Sequence, residues 1–100
     1  MNTTIQKTDG ALTALLDGEL DTAAAVEAER AMQPLFECKD CEIVLDCTGL
    51  RYISSSGLRL FLNVLKSGKA NGCKVSLRHL NDDIMKVFQM TGFNNLFEIK

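Results

Sequence analysis

The chain has 100 residues, of which 46% are hydrophobic and 24% are charged, a composition that predicts a single soluble domain over residues 1–100. Its formal net charge of −2 and its scattered lysines and arginines argue against a nucleic-acid partner. No apolar run reaches the roughly 18 residues of a membrane span, and the first residues show no export signal, so we expect no membrane insertion and a cytoplasmic location.

The predicted elements begin with a β-hairpin. Asp9-Gly10 separates two short β-prone segments and predicts a tight turn between them. The segment Gly18–Asp21 (GELD) is then interpreted as a turn that ends the second strand. An alanine-rich helix follows, with Asp21 or Thr22 as its N-cap and an irregular last turn at Pro34.

The middle of the chain predicts a buried strand followed by an amphipathic helix. Residues 42–47 (EIVLDC) contain a continuous apolar run, which is typical of a strand covered on both faces. A loop then leads into a helix, in which Leu58, Phe61, Leu62 and Leu65 have the spacing of one apolar face.

The last third of the chain predicts a strand over residues 73–80, a helix capped by Asn81 or Asp82 that ends near Gly92, and a short closing strand. The element order is therefore β-β-α-β-α-β-α-β. This order predicts an α/β fold with a mixed, mostly parallel sheet and an antiparallel hairpin at its N-terminal edge.

The four cysteines favour no special chemistry by themselves. Cys38 and Cys41 have the spacing of half a zinc site or of a redox pair, but they precede a strand and not a helix. Cys47 lies in an apolar run and Cys73 follows a glycine, so neither completes a second C-x-x-C motif. Disulfides are rare in a reducing cytoplasm. We therefore expect buried or loop thiols, with no metal site and no cofactor.

The stretch RYISSSGLRL (Arg51–Leu60) places three serines between a strand and a helix. Sites gather at the carboxyl ends of strands in open α/β sheets, and the first turn of a helix attracts anions. A serine there can cap the helix and can also carry a phosphate. Catalysis by a nucleophilic serine is disfavoured, because the chain has no G-x-S-x-G motif and a single histidine, His79.

Three segments of the chain together resemble a known family. Residues 15–23 (LLDGELDTA), 43–62 (IVLDCTGLRYISSSGLRLFL) and 87–99 (VFQMTGFNNLFEI) are similar to STAS domains, and within them to stand-alone anti-sigma factor antagonists. The resemblance implies a STAS-like fold and a regulatory switch with no enzymatic activity. Such a protein binds an anti-sigma factor that is a serine kinase, is released when its own serine is phosphorylated, and is reset by a PP2C-type phosphatase. We expect a monomer or a weak dimer.

The resemblance also assigns roles to residues of this chain. Ser55 takes the place of the phosphoacceptor, and Ser54 stands where the family has an aspartate. Gly57 would admit a partner's backbone, and Leu58 would root the helix in the core. Apart from the resemblance, we expect a mildly apolar docking surface formed by Leu50, Tyr52, Ile53 and Leu58. The partner-binding residues implied by the resemblance are Gly18, Glu19, Asp21, Asp46, Tyr52, Ile53, Ser54, Ser56, Gly57 and Leu58.

Two other functions stay open at this point. A STAS subunit of a membrane transport complex, such as a lipid-trafficking ATPase system, would use the same loop as its interface. A small nucleotide-binding or hydrolytic domain would use the helix N-terminus, although the chain has no P-loop.

Overall fold

The computed structural model describes all residues from Met1 to Lys100. Five strands form one sheet in the order β1-β2-β3-β4-β5, in which β1 is antiparallel to β2 and the other neighbours are parallel. This arrangement confirms the predicted α/β class and the N-terminal hairpin. The elements are β1 (Asn2–Thr8), β2 (Ala11–Leu20), α1 (Thr22–Ala31), α2 (Gln33–Glu37), β3 (Glu42–Ile53), α3 (Ser55–Ala70), β4 (Lys74–Arg78), α4 (Asp82–Thr91), a 3₁₀ turn (Phe93–Asn95) and β5 (Glu98–Ile99).

Local signals placed the first hairpin turn and the start of α1 correctly. Thr8 pairs with Ala11 around the Asp9-Gly10 turn, and Gly10 has the positive φ of 72° that such a turn needs. The Asp21 carboxylate accepts a hydrogen bond of 2.8 Å from the backbone N–H of Ala24 and caps α1. Pro34 lies in the first turn of the separate helix α2, so the predicted irregularity is the start of a new helix.

Strands β2 and β3 run further than their sequences indicate. β2 continues through Gly18 to Leu20, and β3 continues to Ile53, which pairs with Leu20. The predicted turn at residues 18–21 and the predicted loop after Cys47 are therefore wrong. The two segments find each other as parallel partners, with a register shift beside Gly18, and this pairing outweighs the weak strand preference of each one.

The helices pack against one face of the sheet. Phe61 of α3 meets Phe88 of α4 edge to face with ring centroids 5.9 Å apart, and α1 and α2 both contact α3. In β3 the alternate residues Ile43, Leu45 and Cys47 belong to the main core cluster. The intervening residues Val44 and Asp46 are also buried, at 6% exposure each, so the strand is buried on both faces, although these two residues lie outside that core cluster.

Helix α3 has the predicted apolar face. Leu58, Phe61 and Leu65 are buried in the core and Leu62 is partly buried. Burial of a side chain such as Phe61 stabilises the fold by about 1.5–3 kcal/mol. None of the helices has the length and apolar content that a membrane crossing would require.

Candidate functional site

Ser54 holds the serine segment in place. Its Oγ donates a hydrogen bond of 2.9 Å to the carbonyl of Leu20 and accepts one of 3.1 Å from the N–H of Gly57, which makes it the N-cap of α3. The backbone N–H of Ser54 also donates to the Leu20 carbonyl, at 2.9 Å. Both functions of the Ser54 hydroxyl are therefore structural, and they join the end of β2 to the start of α3.

Ser55 is the first residue of α3 and is exposed. Its hydroxyl takes no part in the hydrogen bonds that fix the segment, which are made by Ser54. The N–H groups of a first helical turn carry a partial positive charge, which stabilises an anion there. Ser56 is half-buried and faces a groove between α1 and α3. The three serines thus have three different environments.

The GELD segment lies beside the serines, as the resemblance implies. Glu19 pairs with Tyr52 and Leu20 with Ile53 across the β2–β3 ladder. Glu19 and Asp21 are both exposed, and Tyr52 is 50% exposed. Two carboxylates and one aromatic ring therefore share this end of the sheet with Ser55.

Gly57 serves the packing of the chain itself. It is buried, and a Cβ added to it would lie 2.8–2.9 Å from atoms of Ile53 and Leu20. The expectation that this glycine admits a partner's backbone is therefore wrong. The missing side chain allows α3 to approach the ends of β2 and β3 closely.

The predicted apolar docking surface is mostly core. Leu50 is 0% exposed, Ile53 5% and Leu58 8%, so only Tyr52 of the four residues presents its side chain to a partner. Leu58 roots α3 in the core, as expected. Gly18 is also buried, and a Cβ added to it would lie 3.1 Å from the Cα of Met1.

Asp46 does not belong to the serine site. It lies seven residues before Ile53 in β3, about 23 Å from the strand end at 3.3 Å per residue. Its carboxylate is buried and accepts hydrogen bonds from the N–H and Oγ1 of Thr48 at 3.0 and 2.6 Å, and it pairs with Arg78 at 3.0 Å. Burial alone would raise the pKa of Asp46, but the Thr48 hydrogen bonds and the Arg78 charge outweigh burial and lower it. Because its carboxylate is committed within the fold, the structure does not support the expectation that Asp46 helps to bind a partner.

Sequence reasoning missed the groove between α1 and α3 that adjoins Ser56. Val26 is 52% exposed on the α1 side, and Arg59 lies on the α3 side. The sequence did contain a pattern that could have revealed this groove. On each helix a second row of residues, spaced three and four positions apart, lies next to the apolar face. The side chains along this groove include Thr22, Val26 and Glu29 from α1 and Ser56, Arg59 and Asn63 from α3.

The serine site lacks the partners that a catalytic nucleophile needs. Ser55 has no hydrogen bond to a histidine, lysine or carboxylate that could act as its base. The one cluster of side chains able to hold a metal ion lies elsewhere, at Cys38, Cys41 and Cys73. The arrangement leaves the Ser55 hydroxyl accessible and without an internal hydrogen bond.

Comparison with known proteins agrees with this geometry. The chain matches the STAS domain family over residues 2–100. BtrV of Bordetella bronchiseptica, which carries the name of an anti-sigma factor antagonist, is 33% identical over 99 residues, or 99% of this chain and 85% of that protein. The anti-sigma-B factor antagonist of Listeria monocytogenes is 29% identical over 84 residues, or 83% of this chain and 73% of that protein.

A solved structure shows the same fold. The anti-sigma factor antagonist SpoIIAA in its unphosphorylated form is similar with a TM-score of 0.76 at 20% identity, over 99% of this chain and 87% of that chain. The match over nearly the whole sequence and the shared fold confirm the resemblance seen in the three sequence segments. The chain belongs to the STAS domain family, and its curated relatives are named anti-sigma factor antagonists.

Proposed function

We propose that this protein is an anti-sigma factor antagonist that works by partner switching in the cytoplasm. Unphosphorylated, it binds an anti-sigma factor that is a serine kinase, and the sigma factor is freed. Phosphorylation of Ser55 ends that binding, and a PP2C-type phosphatase restores it. The observation that supports the proposal best is the exposed Ser55 hydroxyl, free of internal hydrogen bonds, at the start of α3.

The environments of the three serines favour Ser55 as the acceptor. A kinase acting on Ser54 would have to break its hydrogen bonds to Leu20 and Gly57. Ser56 is half-buried against α1. Ser55 alone is exposed without such contacts, which supports Ser55 as the acceptor even though Ser54 stands where the family has an aspartate.

A phosphate on Ser55 would change the surface and leave the fold intact. It adds a charge of about −1.5 to −2 at a helix N-terminus, where the helix dipole stabilises it by about 0.3–1 kcal/mol. The same charge lies beside the exposed carboxylates of Glu19 and Asp21. A partner that docks on the neutral form therefore meets a strongly negative and strongly hydrated surface. Each 1.4 kcal/mol of this penalty weakens binding about tenfold.

The unmodified surface offers apolar anchors on both sides of the serines. Tyr52 at the end of β3 is 50% exposed and Val26 of α1 is 52% exposed. Aromatic residues with such exposure are common anchors of protein interfaces. We place the kinase on Tyr52, the three serines and the α1–α3 groove.

The decisive experiment compares Ser55→Asp with Ser55→Ala in binding to the cognate anti-sigma kinase by calorimetry. We expect Ser55→Asp to lose at least about tenfold in affinity and Ser55→Ala to stay within about twofold of wild type. Thr8→Asp is the matched control, because it adds the same charge on an exposed residue at the far end of the β1–β2 hairpin. Equal affinities for the two Ser55 variants would contradict the electrostatic switch.

Incubation with the kinase and ATP, followed by peptide mass spectrometry, tests the modified residue. We expect one phosphate, on Ser55, and its removal by the cognate phosphatase. A phosphate confined to Ser54 or Ser56 would contradict the assignment. A pull-down with wild-type bait that recovers a membrane transport complex in place of a sigma regulator would contradict the proposed function and support the alternative.

A further inference from the structure

The sheet brings three cysteines together at its amino end, opposite the serine segment. β3 and β4 are parallel with Glu42 paired to Lys74, so the residues just before them, Cys41 and Cys73, lie side by side. Their Sγ atoms are 3.5 Å apart. The N–H of Lys74 donates to the Cys41 carbonyl at 3.1 Å and fixes this alignment.

Cys38 completes the group. The Sγ atoms of Cys38, Cys41 and Cys73 all lie within 4.8 Å of one another, and the Cys73 thiol donates to the Cys38 carbonyl at 3.4 Å. In the structure Cys38 and Cys41 form a disulfide, whereas Cys73 is a free thiol. The expectation that all four cysteines are free thiols is therefore wrong for this pair.

We propose that the reduced protein binds one Zn²⁺ ion per chain through the three sulfurs of Cys38, Cys41 and Cys73. Zn–S bonds of about 2.3 Å place the sulfurs of a tetrahedral site about 3.8 Å apart. The Cys41 and Cys73 sulfurs, at 3.5 Å, are already close to that separation, and the bonded Cys38 and Cys41 sulfurs reach it by moving apart once they are reduced. Three thiolates from a C-x-x-C pair and a distant cysteine are a donor set that selects thiophilic metals. The fourth position stays open to water or to an external ligand.

The surrounding backbone holds the ligands in position before an ion arrives. The N–H of Asp40 donates to the Asn71 carbonyl at 2.9 Å, and the Asn71 side-chain amide donates to the Phe36 carbonyl at 3.1 Å. These bonds tie the Cys38–Cys41 loop to the turn before Cys73. A cleft lined by Lys7, Thr8 and Pro34 opens onto Cys38 and Cys41 and gives an ion a route from solvent.

Binding requires reduction, because the disulfide occupies two of the three ligands. A dithiol reductant supplies two electrons and two protons, so that the Cys38–Cys41 S–S bond breaks into two thiols while the reductant closes its own disulfide. Zn²⁺ then displaces three thiol protons and leaves a centre of net charge −1. The exposed residues next to the ligands in the chain carry both signs, Lys39 and Lys74 against Glu37, Asp40 and Glu42, so the site depends on the three sulfurs and not on a cationic surrounding.

This site and the proposed switch are independent, since they lie at opposite ends of the sheet. The test uses the full chain, reduced and kept free of oxygen, with Co²⁺ as a spectroscopic probe and Zn²⁺ as competitor. We expect one Co²⁺ per chain, a sulfur-to-cobalt charge-transfer band, and displacement of the cobalt by Zn²⁺.

Variants then assign the ligands. We expect a loss of at least about 100-fold in Zn²⁺ affinity for each of Cys38→Ser, Cys41→Ser and Cys73→Ser. Loss of a residue that only hydrogen-bonds to a metal ligand costs up to about 100-fold, so a larger loss indicates a direct ligand. Cys47→Ala is the matched control, because Cys47 is a buried thiol outside the cluster, and it should bind within about twofold of wild type.

Three results would overturn the proposal. They are wild-type affinity in Cys73→Ser, one ion per two chains, and equal binding by the oxidised and the reduced wild-type protein. The last comparison uses the unaltered sequence, so it stands even where a cysteine variant fails to fold.

Discussion

The two ends of the sheet are built in opposite ways. The serine end, which comprises Glu19–Asp21 and Tyr52–Ser56, draws its chemistry from one continuous stretch and from the strand beside it. The cysteine end, which comprises Cys38, Cys41 and Cys73, draws its third sulfur from a residue 32 positions further along the chain. One end exposes a hydroxyl, that of Ser55, and the other brings three partly buried sulfurs close together.

This difference explains what the sequence could reveal. A triple serine before a helix is visible in the order of the residues, whereas a three-sulfur cluster exists only once β3 and β4 pair in their observed register. Local patterns therefore predict the serine end, and tertiary pairing creates the cysteine end.

The largest expected effect is a difference in alkylation rate between Cys47 and the cysteines of the cysteine end. Burial, with a smaller contribution from the charge of Asp46, raises the pKa of the Cys47 thiol to about 12. At pH 8 only about one Cys47 thiol in 10,000 is then ionised, and the thiolate is the reactive form. In the reduced native protein we expect Cys38 and Cys41 to be alkylated at least about 100-fold faster than Cys47. Peptide mass spectrometry over a time course measures these rates, and denatured protein is the control, in which all four cysteines should react alike. A Cys47 that reacts as fast in the native state would show that β3 is open at its centre.

The second prediction compares the two ends of helix α3. Gly57→Ala forces a Cβ against both Leu20 and Ile53, and we expect it to lower the free energy of unfolding by about 2–3 kcal/mol. Gly68→Ala makes a closer contact, 2.5 Å, but with a single methyl of Val75 near the cysteine end, so the shift of one side chain relieves it and its net loss should be smaller. Both substitutions lie in α3 and gain up to about 1 kcal/mol of helix propensity. Urea unfolding followed by circular dichroism compares them, with exposed Asn63→Ala as the control. A Gly68→Ala variant that loses more than Gly57→Ala would mean that the serine end is the looser of the two.

The third prediction tests whether Asp46 belongs to either end. Asp46→Asn should lower the free energy of unfolding by about 1–3 kcal/mol at neutral pH, because it removes the charge that Arg78 and Thr48 stabilise. The pKa of Asp46 is lowered in the folded state, so this stabilisation is present above the ordinary value of 3.8 and is lost as the pH falls through the folded-state pKa.

The difference between wild type and Asp46→Asn should therefore shrink to near zero in acid, as followed by urea unfolding across a pH series. Glu98→Gln, an exposed change in β5, is the control and should show no such convergence. Affinity for the anti-sigma kinase should stay within about twofold in Asp46→Asn. A large loss of kinase binding would extend the partner surface to this face of the sheet.

The fold was predictable wherever local chemistry decided it. The Asp9-Gly10 turn, the Asp21 cap and the apolar face of α3 depend on residues a few positions apart, and all of them are confirmed. The ends of β2 and β3 were not predictable, because residues 48–53 and Gly18 become strand only by pairing with each other.

The same limit applies at the candidate site, where the sequence could not predict which side chains are exposed and which are buried. The sequence placed Ser55 at a helix start, and the structure has it there and exposed. It could not show that Ile53 and Gly57 face inward, or that Asp46 is held by Arg78, since both facts depend on elements distant in the chain.

The smallest expected effect is a difference in stability between variants of Ser54 and of Ser55. Ser54→Ala removes the N-cap of α3 and the hydrogen bond to Leu20, and we expect it to lower the free energy of unfolding by about 1–2 kcal/mol. Ser55→Ala removes an exposed hydroxyl with no internal partner and should change it by less than about 0.5 kcal/mol. Thermal and urea unfolding of the two variants measure the difference.

Ser54→Asp sharpens the comparison, because aspartate is an equally good cap yet cannot donate a hydrogen bond to the Leu20 carbonyl. Its stability should therefore fall between wild type and Ser54→Ala, which separates the cap from the Leu20 bond. If Ser55→Ala were as destabilising as Ser54→Ala, the Ser55 hydroxyl would have a structural role, and it could not be modified without disturbing the fold. A switch that acts only on the surface needs Ser54 to hold the segment and Ser55 to be free.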